Sequence, residues 1–297
     1  MTSLIQTAVE LGLISSLTVL SLYLSYTMLN VCDLSTDGAF TLGAAVGAVV
    51  TLSGHPFLAL FAAMLTGMLS GFVTALLQTK MGVDSLLAGI TVNTGLYSIN
   101  IAVMGRSSQI NINKSDSIFY FASDMAEGSF LAPYAKLIAI ILIILLVMIC
   151  IVAFLRTKLG LAIRATGDNP DMVRSSSINT VAITITGLCL SNSLTALSGC
   201  LLAQYNKSAN IDIGTGMLTI ALASLLIGRL FFRNKGVGYG VIGAVIGAIF
   251  FRLVYTMALR LNMPAFMLKL VSSIIVILAI SGPYFLSKIR KKGEANA

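Results

Sequence analysis

Nine long apolar runs, separated by short polar segments, constrain this chain more than any other feature of its sequence. A helix that crosses a bilayer needs about 20 mostly apolar residues, and most of the runs approach that length. Hydrophobic residues make up 57% of the 297 positions and charged residues 10%, which is more apolar surface than a soluble domain requires. We therefore predict an all-α, polytopic membrane protein that forms a single domain over residues 1–297. The runs are residues 11–29, 38–52, 57–79, 85–104, 133–155, 180–205, 216–232, 237–259 and 264–286.

The basic residues indicate how these helices are oriented in the membrane. The polar segment at residues 156–178 contains four Lys or Arg residues, which favours a cytoplasmic position. With that segment inside, 12 of the 19 Lys and Arg residues lie in cytoplasmic segments and five in external ones, and the loop at residues 105–132 is external. The net charge is +8, but the basic residues sit at the ends of apolar runs, as membrane orientation requires, so we expect no nucleic-acid partner. We expect about nine membrane helices, within a range of eight to ten, since a re-entrant segment would change the number.

Asn169, Pro170 and Asp171 form a helix-start pattern inside the predicted cytoplasmic loop. Asn169 can accept hydrogen bonds from the first free amides, Pro170 suits the first helical position, and Asp171 complements the positive end of the helix dipole. The pattern predicts a helix of about two turns. Gly160 and Gly167, which precede it, are expected to allow tight bends. Such a helix can dock into a groove of a soluble partner; the alternative is an ordinary solvated loop between two membrane helices.

The same loop contains the most specific pattern in the chain, G-x-A-x-R-A-x-G-x-N-P. It resembles the coupling loop of one permease family, the membrane subunits of ATP-binding-cassette (ABC) importers of the branched-chain amino acid and ribose type. Residues 33–44 and 227–255 also resemble this family, so that the similarity covers nearly the whole chain. The form DLSTDGAFTLGA at residues 33–44 is most similar to a branch in which some members have been linked to aromatic amino acid uptake. The family usually has Glu where this chain has Asp171.

The resemblance implies a fold, a role and a set of partners. Its members have the type II importer fold, form two-fold dimers in the lipid bilayer, and work with an ATPase subunit and an external substrate-binding protein. The chain has no G-x-x-x-x-G-K-[ST] phosphate-binding loop, so ATP and Mg²⁺ are expected on the separate ATPase. We therefore expect a non-catalytic permease subunit, a homodimer that binds no cofactor itself, in the cytoplasmic membrane of a prokaryote. The resemblance places the ATPase contact on Gly160, Arg164, Ala165, Gly167, Asn169, Pro170, Asp171 and Arg174.

The cargo implied by the resemblance is a small polar solute, with an amino acid favoured and a sugar or nucleoside as alternatives. The scarcity of ionised residues in the apolar runs argues against a highly charged cargo. The residues alone also leave open an ion-driven secondary transporter, which would favour paired intramembrane acids such as Asp33 and Asp37. A membrane-embedded H-E-x-x-H zinc protease is excluded, because the chain has a single histidine. The four cysteines show no metal-ligand spacing, so no metal site is expected.

Polar side chains at membrane depth are candidates for the translocation path, because such groups are costly unless they are hydrated or paired. A polar break at residues 30–37 precedes the second run, and the fourth, sixth and eighth runs carry further polar groups. Each has an alternative role: a surface loop for the break, interhelical hydrogen bonds for the asparagines, and snorkelling or pairing with an acid for the arginine. The path candidates are Asp33, Asp37, Asn93, Asn100, Asn192 and Arg252.

Three apolar runs contain a G-x-x-x-G pattern, at Gly43/Gly47, Gly67/Gly71 and Gly243/Gly247. Small residues allow membrane helices to pack closely, where no hydrophobic drive brings them together. The pattern predicts close packing within one subunit, and a subunit interface is the alternative.

Overall fold

Helices dominate the part of the chain that the structure describes. This computed structural model describes residues 2–113, 115–125, 132–231 and 236–260, together with 270, 273, 274, 277 and 281. The helices there are α1 (Thr2–Leu22, continued by a π-helical segment, Tyr23–Met28), α2 (Thr36–Leu52), α3 (Pro56–Thr79), α4 (Ser85–Val103), α5 (Ile118–Met125), α6 (Ala135–Leu155), α7 (Lys158–Asp168), α8 (Pro170–Ser175), α9 (Thr180–Asn206), α10 (Met217–Phe231) and α11 (Val237–Arg260), with one 3₁₀ turn at Ala132–Tyr134. Two short strands, β1 (Gln109–Asn111) and β2 (Ser208–Asn210), complete the described elements.

Six helical segments in the described residues are long and apolar enough to cross a membrane. They correspond to the first, third, fourth, fifth, sixth and eighth predicted spans, which confirms a mostly helical membrane protein. The second and seventh predicted spans are shorter apolar helices, Thr36–Leu52 and Met217–Leu230, and the ninth lies largely outside the described residues. The total of nine therefore stays a prediction. The six segments are Leu4–Met28, Pro56–Thr79, Ser85–Val103, Ala135–Leu155, Thr180–Asn206 and Val237–Ala258.

The central helices of the bundle are α1 and α9. Their membrane windows are 83% and 61% buried, whereas that of α6 is 17% buried. Helix α6 is also the most apolar, with a mean hydropathy of 3.7, and it leaves large side chains such as Leu142 and Leu146 exposed. A helix that is apolar all round but mostly exposed has its outer face in lipid, so α6 lies at the periphery and α9 in the protein interior.

The G-x-x-x-G patterns pack helices within the chain, as predicted. Both glycines of α2 lie against α9, where a Cβ at Gly43 or Gly47 would collide with Ala196 or Cys200. Both glycines of α3 also contact α9, and Gly247 of α11 contacts α10. Because glycine has no side chain, the two helix backbones can approach closely, and this close approach increases the van der Waals contact between membrane helices. These glycines are therefore occupied inside the subunit and do not form a face for a second copy.

The polar break before α2 lies beside the middle of α9. After the π-helical segment, Leu29 packs against Gly187 of α9. The chain then turns back, so that Asp33 reaches Asn192, and α2 begins from that level. Helix α10 also begins there, because Asp37 of α2 accepts hydrogen bonds from its first turn. Both helices are short, at 17 and 15 residues, because each begins inside the bundle.

The two strands join the segments that follow α4 and α9. They pair antiparallel, with Gln109 opposite Asn210 and Asn111 opposite Ser208. The first segment belongs to the loop predicted to be external, and the basic-residue count also places Lys207, in the second segment, on that side; their pairing is consistent with that orientation. The pair covers one end of the bundle, where Ile112 packs with Ala203 and Ala209.

Candidate functional site

The predicted cytoplasmic loop folds into two consecutive helices, α7 and α8. The expected start of α8 is present: Oδ1 of Asn169 accepts hydrogen bonds from the backbone N–H groups of Asp171 and Met172, both at 3.1 Å. Pro170 occupies the first turn. The helix is therefore capped by its own sequence.

Helix α8 stands away from the membrane helices. Val173 is buried and anchors it, while the other five residues of the helix are exposed, with Met172 at 56%. Arg174 donates from Nε to the hydroxyl of Thr180 at 3.2 Å, which ties α8 to the start of α9. Its guanidinium also lies 3.6 Å from the Asp171 carboxylate, an exposed ion pair of small energetic value.

The prediction that Gly160 and Gly167 form tight bends is wrong, because both lie inside α7. A Cβ at Gly167 would collide with the carbonyl oxygen of Met28, and one at Gly160 with the backbone of Leu155. The two glycines therefore let α7 pack against the ends of α6 and of the first membrane segment. Ala165, between them, is half-buried.

Arg164 lies on the membrane side of α7 and not on the exposed surface of α8. It lines a cavity of about 510 Å³ with Arg156, Leu155 and the first turn of α11. Tyr23 of the first membrane segment is close enough for its phenol to interact electrostatically with Arg164. The residues of the loop therefore lie on two different surfaces. Arg164 lines the cavity, whereas Asp171 and Met172 are on the exposed surface of α8.

Asp33 is the centre of a buried hydrogen-bond network. Its Oδ1 accepts from the backbone N–H of Ser35 at 2.8 Å and from the Ser35 hydroxyl at 2.6 Å, the local turn that an Asp side chain makes with the residue two positions on. Its Oδ2 accepts from Nδ2 of Asn192 at 2.7 Å. Thr74 of α3 donates to the Ser35 hydroxyl at 3.3 Å. The network holds the break against α3 and α9.

Asp37 caps the start of α10. Its two carboxylate oxygens accept hydrogen bonds from the backbone N–H groups of Gly216 at 2.9 Å and Leu218 at 2.8 Å. A carboxylate at this position satisfies first-turn amides and favours the positive end of the helix dipole. Asp37 is half-buried, unlike Asp33, which is 1% exposed.

The asparagines of α4 face α2. Nδ2 of Asn100 donates to the carbonyl oxygen of Gly38 at 3.2 Å, and Asn100 is buried. Asn93 is half-buried, and a Cβ at Gly38 would lie 2.6 Å from its Oδ1. The Asn100 bond is an interhelical hydrogen bond, the alternative that the sequence analysis left open, whereas the observation for Asn93 is its closeness to α2.

Arg252 pairs with neither acid of the break. Its guanidinium lies over the ring of Tyr255, 5.3 Å from the centroid, and its Cβ is beside Gly12 of α1. The one ion pair within 4 Å among the described residues joins Arg174 and Asp171, so it does not involve Arg252. The face of an aromatic ring attracts a cation, so Tyr255 is a favourable partner for the Arg252 charge at membrane depth.

Comparison with known proteins identifies the family of this chain. A model of the family described as "Branched-chain amino acid transport system / permease component" matches residues 4–280. The chain belongs to this permease family. The resemblance seen in the loop pattern is therefore confirmed over most of the sequence. No solved structure matches the chain.

Three relatives of the permease are informative. The "Tyrosine transport system permease protein" of Clostridioides difficile is 33% identical over 270 residues, which cover 90% of this chain and 86% of that protein. An uncharacterized protein of Rickettsia prowazekii is 30% identical over 279 residues, 93% of this chain and 96% of that protein. The "Nucleoside ABC transporter permease protein" of Lactococcus lactis is 24% identical over 246 residues, 77% and 74% of the two chains.

A buried acid of the permease was missed by the sequence analysis. Glu10 is 4% exposed; its carboxylate accepts hydrogen bonds from the Tyr205 hydroxyl at 2.7 Å and from Nε2 of Gln6 at 3.0 Å. The first apolar run was begun at Leu11, one residue later, so Glu10 was left outside the first predicted span. Helix α1 instead begins at Thr2, and the available signal was an acid with apolar residues on both sides, Val9 and Leu11.

The permease also exposes hydroxyl groups along α4 that the sequence analysis did not select. Thr91, Thr94 and Ser98 recur at helical spacing and are exposed in the single chain. The two threonines donate back to their own helix, to the carbonyl oxygens of Leu87 at 2.8 Å and Ile90 at 2.9 Å. A membrane helix with a hydroxyl-bearing exposed face can border either lipid or water.

Proposed function

We propose that this chain is the membrane-spanning permease subunit of an ABC importer that carries an amino acid across a prokaryotic cytoplasmic membrane. The observation that carries the proposal is the 33% identity to a tyrosine transport permease over 90% of the chain. ATP and Mg²⁺ would be bound by a separate ATPase, and cargo would be delivered by an external binding protein. This chain would supply the path and the mechanical link, as one half of a homodimer.

The mechanical link in this proposal is α8. Its support is geometric: five of its six residues are exposed, and Asn169 caps it while Val173 anchors it. A helix that is already folded loses little conformational freedom when it docks. We propose that Asp171, Met172 and Arg174 contact the ATPase, while Gly160 and Gly167 hold α7 in place behind them.

The path in this proposal runs beside the point where α2 and α10 begin. Asp37 and Asn93 are half-buried there and would border it. Asp33, Asn100 and Asn192 are buried and would hold the helices that form its wall. Arg252 would attract the carboxylate of an amino acid after leaving the ring of Tyr255.

The hydroxyl-bearing face of α4 would form another part of the path. Ser98 and Thr91 each lie about one turn from Gly95, on a helix whose opposite side packs against α2 and α3. Hydroxyl groups that are already bonded to their own helix interact only weakly with a passing solute, and weak contacts allow release. A second copy of the chain could face this side across a shared path.

A competition experiment tests the substrate class. The chain would be expressed with its ATPase and binding protein in cells that lack amino acid uptake, and accumulation of labelled tyrosine would be measured. We expect unlabelled aromatic amino acids to compete, and ribose and uridine not to. Absence of tyrosine accumulation together with accumulation of labelled uridine would instead favour a nucleoside cargo, for which the Lactococcus lactis relative is the supporting observation.

A further inference from the structure

Two arginines share a cavity at the end of the membrane domain. The cavity has a volume of about 510 Å³, within the range of small-ligand pockets, and is lined by Arg156, Arg164 and the first turn of α11. It lies where two candidate membrane helices end, α6 at Leu155 and α11 at Val237. The basic-residue count assigns this end to the cytoplasmic side, so the cavity is at the level of lipid headgroups.

The two guanidiniums have no carboxylate partner in the described part of the chain. The ion pair found there within 4 Å joins Arg174 and Asp171, and both of these residues lie outside the cavity. Arg156 is exposed and Arg164 is half-buried, with Tyr23 as its electrostatic neighbour. Two like charges in one cavity repel each other, and an anion between them would convert that repulsion into attraction.

The other walls of the cavity are largely apolar and exposed. Leu161, Tyr239 and Ile242 line it and are 54%, 51% and 42% exposed. Gly236 and Gly238 leave the wall at the start of α11 without side chains. An exposed Tyr at the boundary between apolar and polar surroundings is typical of the membrane interface.

We propose that this cavity binds the phosphate group of an anionic phospholipid from the cytoplasmic leaflet. The two arginines would hold the phosphate, and an acyl chain would lie along Ile242 and Ile246, which is one turn further along α11 and 40% exposed. Basic pockets between membrane helices on the cytoplasmic side suit anionic headgroups. A bound lipid would connect α7, which precedes the docking helix, to α11. This proposal does not depend on the substrate.

A lipid titration tests the proposal on the full chain. The protein, in detergent, is delipidated and its melting temperature followed while phosphatidylglycerol, phosphatidylcholine or inorganic phosphate is added. We expect phosphatidylglycerol to raise the melting temperature, and the other two to leave it unchanged. Equal shifts from both lipids would overturn the proposal, and a shift from inorganic phosphate alone would assign the cavity to a free anion.

Matched variants locate the effect. Arg156→Gln/Arg164→Gln should weaken phosphatidylglycerol binding roughly 30-fold, since each cationic contact near a membrane surface contributes a factor of about five. Lys80→Gln/Lys158→Gln removes the same charge from exposed residues outside the cavity and should bind as wild type does. Arg156→Lys/Arg164→Lys keeps the charge and checks folding. Unchanged binding in the glutamine pair would remove the arginines from the site.

Discussion

Oδ2 of Asp33 accepts a 2.7 Å hydrogen bond from Nδ2 of Asn192, a residue 159 positions later in the chain. This bond fixes the start of α2 at the middle of α9, and it gives a buried carboxylate a partner that carries no charge. Together with the two bonds from Ser35 it satisfies both oxygens of the buried carboxyl group. The break in the membrane helix is therefore held by its own polar residues.

Replacement of Asp33 should destabilise the folded protein. Asp33→Ala leaves the two Ser35 donors buried without an acceptor and leaves Nδ2 of Asn192 only its 3.3 Å bond to the Ser35 hydroxyl, which costs about 3 kcal/mol. Asp33→Asn keeps one acceptor oxygen, so its stability should lie between that of wild type and that of Asp33→Ala. Thermal unfolding in detergent measures the effect, and Asp124→Ala, on the exposed face of α5, should change it little. A melting temperature for Asp33→Ala equal to that of wild type would contradict the network.

Replacement of Asp37 should loosen the start of α10. Asp37→Ala removes the acceptor of the Gly216 and Leu218 amides, and the loss of a helix cap costs about 1 kcal/mol. Hydrogen exchange at residues 214–220 should become roughly five-fold faster, following the same free energy. Asp212→Ala, an exposed acid in the same loop, is the control. If both variants exchange at the same rate, Asp37 does not cap the helix.

The sequence predicted features that depend on neighbouring residues. Six membrane spans follow from apolar runs, and α8 follows from Asn169, Pro170 and Asp171, whose bonds are all local. The resemblance also predicted the family, because the residues of the loop pattern lie close together in the sequence.

The sequence could not show which distant groups meet. Asp37 bonds to residues about 180 positions away, and no spacing rule relates them. Gly167 was expected to form a bend, because glycine serves both bends and close helix contacts and the two uses look alike in sequence. Glu10 was left out of the first predicted span because that span was begun at Leu11, and its partner Tyr205 is on another helix.

The exposed surface of α8 should be required for coupling to the ATPase. Met172→Glu places a charge on that surface, and since central interface residues contribute about 1.4 kcal/mol or more, stimulated ATPase activity should fall about 10-fold. Met125→Glu is the same change at an exposed residue of α5, on the predicted external side, and should have no effect. A substitution at Gly167 is a poor test, because it would clash with Met28. Full stimulation in Met172→Glu would mean that α8 does not dock.

Cysteine labelling checks the orientation. The native cysteines, Cys32, Cys150, Cys189 and Cys200, are first replaced by alanine. A membrane-impermeant maleimide applied to intact cells should then label Gln109→Cys and leave Ser175→Cys unlabelled, because the first is assigned outside and the second inside. Both positions are exposed, whereas Ser117, in the same external loop, is 1% exposed and would label poorly. The opposite pattern would invert the topology.

Energy coupling is the central claim, and transport in proteoliposomes tests it most directly. The chain would be reconstituted with its ATPase, with the binding protein and labelled tyrosine outside and ATP inside. We predict accumulation that requires ATP hydrolysis, stops when the ATPase is left out, and persists when ion gradients are collapsed. Accumulation that is driven by an ion gradient in the absence of ATP would contradict the account and identify the chain as a secondary transporter.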